Sequence, residues 1–518
     1  MSGRILSGVT RTVPSQSGKK MANDFIRIHP SDDVAVALRD IAKNTEVEVA
    51  GQRFTAIDDI PKGHKMALRD LRAGENILKY GSYIGHATAD APAGSWLHSH
   101  NVETNLDGLL DYRYTPNFPE TTYTHALPDT FRGYLRPDGR AATRNEIWVI
   151  PTVSCVNTLV RNIAEQANAL VGDKCDGVFA LPHNTGCSQM GEDQEMTKRI
   201  LSAVIKHPNA GGVLLVSLGC ENVNLERLLP VLGEYDHSRI RTMIAQDVPG
   251  DEAAEGVRII QEIAELTAQD HREELPVSKL IIGCKCGGSD GFSGITANPL
   301  CGTIAEKVTA LGGTAVLTEV PEMFGAETYL MERADNEATF NKIVRMINGF
   351  KQYYLDHGQP VYDNPAPGNK KGGITTLEEK SLGCIQKGGR AVVTDTLEMG
   401  ESCSKPGLNL VTGPGNDSVS ITNLLSCGAQ IMLFTTGRGN PLGTAIPTIK
   451  IASNTALYDR KQGWFDFNAG LVLETGSMDE ASEMLWKKMI SIASGEQLAR
   501  NEERGYREIM VFKDGVIL

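Results

Sequence analysis

The sequence lacks several features that would assign it to a common class of protein. None of its apolar runs approaches the roughly 20 residues that a membrane-spanning helix needs, so no membrane partner is expected over the 518 residues. Basic residues are in deficit, because 51 Lys and Arg face 64 Asp and Glu and leave a net charge of −13. General binding of nucleic acid needs a basic surface, and we therefore expect no nucleic-acid partner.

Cysteine is absent from the first 154 residues, although ten cysteines follow. No CxxC pair of a zinc ribbon occurs among them. No apolar signal-peptide core precedes them either, so we expect reduced thiols and a cytoplasmic protein. Residues 1–21 carry four basic residues and no acid. We predict a disordered tail there, with a weak transit-like leader as the alternative.

The rest of the chain falls into two kinds of pattern. Residues 22–106 are short β-rich runs punctuated by Gly and Pro, which predicts a small β domain with one helix near residues 32–42. A linker is predicted over 107–130. Apolar strand-like runs then alternate with helical stretches, which is typical of a parallel sheet covered by helices. The predicted fold class is α/β, with an α/β catalytic domain over 131–357 and a second α/β domain over 358–518.

Polar side chains with metal-binding capacity recur where these predicted strands end. Ligands of open parallel sheets bind at the carboxyl ends of the strands, and thiolate with imidazole suits iron or zinc better than magnesium. The alternative is that each cysteine is a small buried hydrophobe. We predict a metal site, with Glu221 nearby, among Cys155, His183, Cys187, Cys220 and Cys286.

Three Gly-rich segments are candidates for binding a substrate anion. The segment CKCGGSDGFSGITANP contains Ser289 and Asp290 and opens onto a predicted helix, whose first N–H groups favour an anion. It has neither the Walker lysine nor the GxGxxG spacing of a nucleotide site. Asn369 and Lys371 follow in PGNKKGG, and Arg438 in TTGRGNPLG could clamp a carboxylate in bidentate fashion. Lys371 and its neighbour Lys370 could equally be a solvated pair.

The β domain contributes the segment WLHSHNVET, in which His98 and His100 alternate. On a strand, alternate residues face the same side. The pair is therefore predicted to act in acid–base catalysis or to bind a metal.

Residues 22–518 resemble the altronate/galactarate dehydratase family of sugar-acid hydro-lyases, and the β domain resembles its SAF-type domain. The resemblance rests on the segments HSHNVETNL, HNTGCSQMGED, SLGCENV, CGGSDGFSGITANP, EVPEMFGAE, NPAPGNKKGGITTLEEKSLG and TTGRGNPLG. It implies dehydration of D-altronate to 2-dehydro-3-deoxy-D-gluconate in hexuronate catabolism. It also implies dependence on Fe²⁺, for which Mn²⁺ sometimes substitutes.

Such a dehydration is an α,β-elimination, which needs a base at C2, an acid at the C3 hydroxyl and cations at the carboxylate. We predict that His98 or His100 supplies acid–base function, with Glu221 and Lys371 as further catalytic groups. Arg438 or Lys371 would hold the carboxylate, with Ser289, Asp290 and Asn369 lining the pocket. Galactarate or another 2,3-hydroxy acid remains the alternative substrate, and a non-catalytic sugar-acid sensor the alternative function. The choice between mononuclear iron and an iron–sulfur cluster stays open, and a homo-oligomer is expected.

Overall fold

The computed structural model describes residues 24–119 and 127–518, so the predicted tail over 1–21 and part of the predicted linker lie outside the described residues. The strands are β1 (Phe25–Ile26), β2 (Val34–Ala37), β3 (Glu46–Val49), β4 (Gln52–Thr55), β5 (Lys65–Ala67), β6 (Asn76–Lys79), β7 (Ser82–Ala87), β8 (Trp96–Leu97), β9 (Val102–Glu103), β10 (Thr130–Leu135), β11 (Ala141–Ala142), β12 (Glu146–Pro151), β13 (Val178–Ala180), β14 (Ala210–Ser217), β15 (Ile240–Ile244), β16 (Glu273–Pro276), β17 (Ile281–Cys286), β18 (Thr314–Leu317), β19 (Val393–Leu397), β20 (Gly407–Val411), β21 (Ile431–Thr436), β22 (Thr448–Ala452) and β23 (Phe467–Asn468). The α-helices are α1 (Asn157–Val171), α2 (Gly191–Ile205), α3 (Leu225–Leu232), α4 (Glu252–Thr267), α5 (Ala297–Ala310), α6 (Glu327–Met331), α7 (Glu337–Asp356), α8 (Pro367–Lys371), α9 (Leu377–Cys384), α10 (Asp417–Ser426), α11 (Thr455–Arg460), α12 (Leu471–Thr475), α13 (Met478–Ala493) and α14 (Arg500–Arg504). None of the described helices is both long enough and apolar enough to cross a bilayer.

The N-terminal domain is built from antiparallel strands, as predicted. Strands β1, β2, β5 and β8 form one sheet in the order β1-β2-β5-β8. The hairpin β3-β4 and the three-stranded sheet β6-β7-β9 complete the domain. The helix predicted near residues 32–42 is wrong, because β2 occupies this segment between β1 and β5. All four residues of β2 are buried. A strand buried on both faces loses the alternation by which a sequence reveals a strand.

The middle domain contains a four-stranded parallel sheet in the order β13-β12-β14-β15. Every residue of β12 is buried, which explains why its sequence is a continuous apolar run. Val149 of β12 lies opposite Ala180 of β13 on one side and Leu214 of β14 on the other. The carboxyl ends of these three strands therefore lie side by side.

The C-terminal domain contains a seven-stranded parallel sheet in the order β19-β20-β18-β17-β21-β22-β23. The chain proceeds from β17 to β18 on one side, and from β21 to β22 on the other, so the adjacent strands β17 and β21 form the topological switch point. The boundary predicted between residues 357 and 358 is wrong, because β17 and β18 precede it and yet lie at the centre of this sheet. The Gly- and Pro-rich stretch at 364–373 is a connection within the domain rather than a linker.

The β domain docks on the C-terminal domain through buried charge. Glu379 of α9 accepts hydrogen bonds from Lys65 at 2.8 Å and from Lys79 at 2.6 Å, and all three side chains are buried. The Thr376 hydroxyl donates to the carbonyl of Ile84 in β7. These contacts hold the β domain against the segment that leads into α9.

Candidate active site

A cavity of about 1060 Å³ opens at the carboxyl edge of the seven-stranded sheet. Its walls come from the segments that follow β17, β18, β20 and β21, together with the connection between α7 and α9. It therefore adjoins the switch point between β17 and β21, where open α/β sheets bind their ligands.

Three cationic side chains line this cavity, namely Lys370, Lys380 and Arg438. Lys380 lies 2.8 Å from the carboxylate of Glu322 and donates to the amide oxygen of Asn364 at 2.8 Å. Burial opposes the charge on Lys380, but the neighbouring Glu322 carboxylate outweighs burial and raises the pKa of Lys380. Glu322, Asp363 and Asp417 line the same cavity, so its wall carries both cations, which can hold an anionic substrate, and carboxylates.

One wall of the cavity is fixed by a second set of buried charges. Lys285 lies between Glu319 at 2.6 Å and Asp417 at 2.7 Å, and Asn440 donates to Asp417 at 2.7 Å. Glu319 has a left-handed backbone with φ of 67°, a conformation that a non-glycine residue adopts only when its surroundings hold it. Asp417 is therefore held in place where it lines the cavity.

A buried thiol pair lies beneath Glu322. The sulfur of Cys286 is 3.5 Å from that of Cys384, 3.3 Å from the Glu322 carboxylate and 2.9 Å from the Lys387 ammonium. The hydrogen bond with Cys384 and the charge of Lys387 outweigh burial and lower the pKa of Cys286 to about 6. Within residues 24–119 and 127–518, Cys286, Glu322 and Cys384 form the one group of three ligand-type side chains whose atoms all lie within 4.8 Å of one another.

Only some of the residues predicted to bind the substrate line this cavity. Asn369 and Arg438 line it, but the lysine that does so is Lys370, and Lys371 is exposed outside it. Asn369 donates to the carbonyl of Ser289 at 2.9 Å, which ties the loop after β17 to α8. Asp290 is buried and does not line the cavity. Its carboxylate accepts hydrogen bonds from the backbone N–H groups of Phe292 and Ser293, the hydroxyls of Ser293 and Ser453, and the side-chain amide of Asn454. Asp290 therefore holds its own loop and joins it to the segment that follows β22.

The five strand-end residues among which a metal site is predicted belong to two sheets, so they do not all lie at one sheet edge. Cys286 ends β17 in the C-terminal domain, whereas the other four follow strands of the middle domain. His183 is buried with both ring nitrogens engaged: Nε2 lies 2.7 Å from the Pro151 carbonyl and Nδ1 lies 3.0 Å from the Thr185 hydroxyl. Burial lowers the pKa of His183 to about 4, so it is a neutral structural histidine.

Glu221 also holds the structure of its own loop. Its carboxylate accepts from the hydroxyls of Thr152 and Ser217 and from the backbone N–H of Gly219 at 2.7 Å. Burial opposes ionisation, but these hydrogen bonds outweigh it and lower the pKa of Glu221. It lies in the middle domain and does not line the cavity of the C-terminal domain.

The prediction that His98 and His100 share one face of a strand is wrong, because β8 ends at Leu97 and both histidines lie in the following turn. They contact Trp96 instead, with ring centroids 5.5 Å and 5.0 Å from it. Burial lowers the pKa of His98 to about 4, and its Nδ1 lies 3.4 Å from the hydroxyl of Thr375. His98 thus contacts the segment that continues from Lys370 without lining the cavity.

Sequence reasoning missed the buried charges that form this site, above all Glu322, Glu379, Lys380 and Lys387. Three of them lie in or directly after α9, whose residues Leu377–Cys384 are all buried. A run such as LEEK ordinarily indicates a solvated helix face. The available signal was that the segments EVPEMFGAE and EEKSLG are among those that carry the family resemblance.

Comparisons with known proteins agree along the whole described chain. Three family models match: the altronate/galactarate dehydratase SAF domain over residues 23–105, the D-galactarate dehydratase/altronate hydrolase second domain over 133–268, and the D-galactarate/altronate dehydratase C-terminal domain over 277–517. The β domain is therefore a SAF domain.

Individual relatives cover nearly the full length. The altronate dehydratase of Bacillus subtilis (strain 168) is 49% identical over 497 residues, which are 95% of this chain and 99% of the relative. The altronate dehydratase of Escherichia coli (strain K12) is 46% identical over 498 residues, 95% of this chain and 100% of the relative. The galactarate dehydratase (L-threo-forming) of Escherichia coli (strain K12) is 31% identical over 524 residues, 94% of this chain and 96% of the relative. Identity at this level over whole chains leaves one conclusion: the chain is a member of the D-galactarate/altronate dehydratase family of hydro-lyases.

Proposed function

We propose that this enzyme dehydrates D-altronate to 2-dehydro-3-deoxy-D-gluconate, within hexuronate catabolism, in the cavity of the C-terminal domain. The observation that carries the proposal is the meeting of Lys370, Lys380 and Arg438 at the carboxyl edge of the seven-stranded sheet. Cations at this place suit a small carboxylate. The two altronate dehydratases at 49% and 46% identity support the choice of substrate.

The reaction removes the proton at C2 and the hydroxyl at C3. Removing the C2 proton builds negative charge on the carboxylate oxygens, and a cation aimed at those oxygens stabilises the resulting enediolate. Arg438 and Lys370 are suited to hold the carboxylate. Lys380 is suited to stabilise the added charge, because its raised pKa keeps it protonated through the reaction.

The SAF domain is proposed to position the site rather than to supply the reacting groups. His98 lies 3.4 Å from the Thr375 hydroxyl, and Lys65 also donates to Thr375. Both contacts act on the segment between Lys370 and α9. The domain would thereby set the position of Lys370 at the cavity and exclude water from the side that it covers.

Fe²⁺, with Mn²⁺ as a substitute, remains the proposed cofactor. The buried group of Cys286, Glu322 and Cys384 does not fit a divalent ion, because the ammonium of Lys387 is 2.9 Å from Cys286 and that of Lys380 is 2.8 Å from Glu322. A dication there would meet two positive charges at contact distance. The accessible thiols of the middle domain suit iron, either as a single ion or in an iron–sulfur cluster.

Galactarate is the second candidate substrate, because three cations at one cavity could hold two carboxylates. A panel of aldonates and aldarates, read by a colour assay for 2-keto-3-deoxy acids, decides between them. We expect turnover of altronate to exceed that of galactarate. Arg438→Ala should abolish most of this turnover, and Arg53→Ala, an exposed arginine on β4, should leave it unchanged. Turnover of galactarate above altronate would replace the substrate, and normal turnover by Arg438→Ala would place the site elsewhere.

We further propose a cytoplasmic homo-oligomer. All ten cysteines are free thiols, as expected in a reducing compartment. Light scattering coupled to size exclusion measures the mass in solution, and a monomer of 56.1 kDa would overturn the oligomer.

A further inference from the structure

We propose that Cys155, Cys187 and Cys220 together bind an iron–sulfur cluster at the carboxyl edge of the four-stranded sheet. All ten cysteines lie in the described residues, and these three are the exposed ones. They follow β12, β13 and β14, which are neighbours in the sheet order β13-β12-β14-β15. Exposed thiols are reactive liabilities on a protein surface, so finding all of them at one sheet edge points to a shared ligand.

The loops that carry the three thiols are joined by hydrogen bonds. The backbone N–H of Ser154 donates to the Thr185 carbonyl at 3.0 Å, which joins the first loop to the second. The N–H of Ser188 donates to the side chain of Asn222 at 2.7 Å, which joins the second loop to the third. Gly186 lies so close to the first loop that an added Cβ would be 2.1 Å from a backbone oxygen. The thiols are therefore held on a preformed edge.

Their spacing favours a cluster over a single ion. A tetrahedral ion bound at about 2.3 Å holds its thiolates about 3.8 Å apart. Within residues 24–119 and 127–518, the sulfurs of Cys155, Cys187 and Cys220 do not all lie within 4.8 Å of one another, so at least two of them are farther apart than the thiolates around one such ion. A cluster accepts wider spacing because each thiolate binds a different iron atom.

The surroundings of the thiols stabilise sulfur that carries negative charge. The amide of Gln246 lies 3.7 Å from the sulfur of Cys220, and the hydroxyl of Ser188 lies 3.9 Å from that of Cys187. Cys155 lies two residues before α1, a helix of 15 residues with no acid in its first turn, and a helix N-terminus favours a thiolate. Binding converts three thiols to thiolates and releases their protons.

Three cysteine ligands are one fewer than the iron atoms of a four-iron cluster. Since three cysteines are exposed here, a four-iron cluster would keep one iron without a cysteine ligand. That iron would be open to water or to a small oxygen ligand. This inference stands apart from the proposed substrate, because cluster content is measured without turnover.

The test incubates the full-length protein anaerobically with Fe³⁺, sulfide and a thiol reductant, which reduces part of the iron, so that both oxidation states of iron in a cluster are supplied. We expect bound iron and sulfide, with the broad visible absorbance of a cluster. Cys155→Ser, Cys187→Ser and Cys220→Ser should each lose most of that absorbance while melting at the wild-type temperature when free of iron. Cys175→Ser is the matched control, since this half-buried cysteine lies in the same domain, and it should keep the full absorbance.

A measurement on the unmodified protein guards against variants that fail to fold. The reconstituted protein should protect Cys155, Cys187 and Cys220 from alkylation, as read by mass spectrometry, and a chelator should expose them. Binding of iron or zinc without sulfide would overturn the cluster. So would equal alkylation of the three thiols before and after reconstitution, or full absorbance in any of the three variants. A protein that holds the cluster and leaves altronate unchanged would refute the proposed substrate alone.

Discussion

Replacing Glu379 by glutamine should detach the SAF domain from the catalytic core. Glu379 is the shared partner of Lys65 and Lys79, and each of these three side chains is about 1% exposed. Glutamine keeps the shape of the side chain but removes its charge. The change leaves two ammonium groups buried with only neutral acceptors, of which Lys65 retains the Gly373 carbonyl and the Thr375 hydroxyl.

The magnitude follows from the cost of an uncompensated buried charge. Removing one partner of a buried ion pair typically costs about 3–5 kcal/mol. Burial already lowers the pKa of Lys65 to about 8, so Lys65 can lose its proton once the carboxylate is gone. Lys79 then carries most of the cost, and we expect the middle of that range. Glu75→Gln is the matched control, because its pair with Arg69 is solvent-exposed and such pairs contribute about 0–1 kcal/mol.

Urea unfolding and limited proteolysis of the segment 107–119 measure the effect. Glu379→Gln should lower the midpoint of the SAF-domain transition and speed cleavage, with a fall in turnover. Adding Lys79→Met should recover part of the loss, because an apolar side chain removes one uncompensated charge. A loss no larger than that of Glu75→Gln, or no recovery in the double variant, would refute this account of docking.

Three further outcomes are expected. Arg438→Lys keeps the charge but loses the planar fork, so kcat/KM should fall by the equivalent of about 2–4 kcal/mol with an unchanged melting temperature; early melting with normal turnover per folded molecule would make Arg438 structural. His183 has a folded pKa of about 4 against an ordinary 6.5, so its stabilising contribution is present above pH 6.5 and is lost as the pH falls toward 4. We expect about 2 kcal/mol less stability at pH 5 than at pH 7 from this group, seen as a flatter pH dependence of the urea midpoint in His183→Asn; an equal slope in both proteins would contradict it. His98→Ala should raise KM for altronate more than it lowers kcat, because it acts through Thr375 on the segment beside Lys370, whereas the reverse split in steady-state kinetics would make His98 an acid–base group.

The regular elements of the α/β part could be predicted because their signals are local. The apolar run of β12 and the pattern of α13 each follow from side chains that face the core in a fixed period. Helix α13 spans Met478–Ala493. Strand β2 was not predicted, because burial on both faces removes the alternation of apolar and polar residues that marks a strand.

Membership of a sheet could not be predicted from the same signals. Each strand end carrying Cys155 or Cys286 is visible in the sequence, but pairing between strands is a long-range choice. The predicted metal site placed all of these strand ends at one sheet edge and therefore combined residues of two sheets. The Gly- and Pro-rich stretch that follows residue 357 predicts a domain boundary there, although β17 and β18 pair with strands beyond it.

Helix α9 shows why the charged residues of the site escaped prediction and how the domains act together. Glu379 and Lys380 are consecutive, and neighbours in a helix face different directions. Glu379 faces the two lysines of the SAF domain, whereas Lys380 faces Glu322 and the cavity. The same short helix therefore fixes the docked SAF domain on one side and the cavity cation on the other. A displacement of α9 by the width of one hydrogen bond would disturb both, so the position of the SAF domain and the charge of the cavity are set by one buried element.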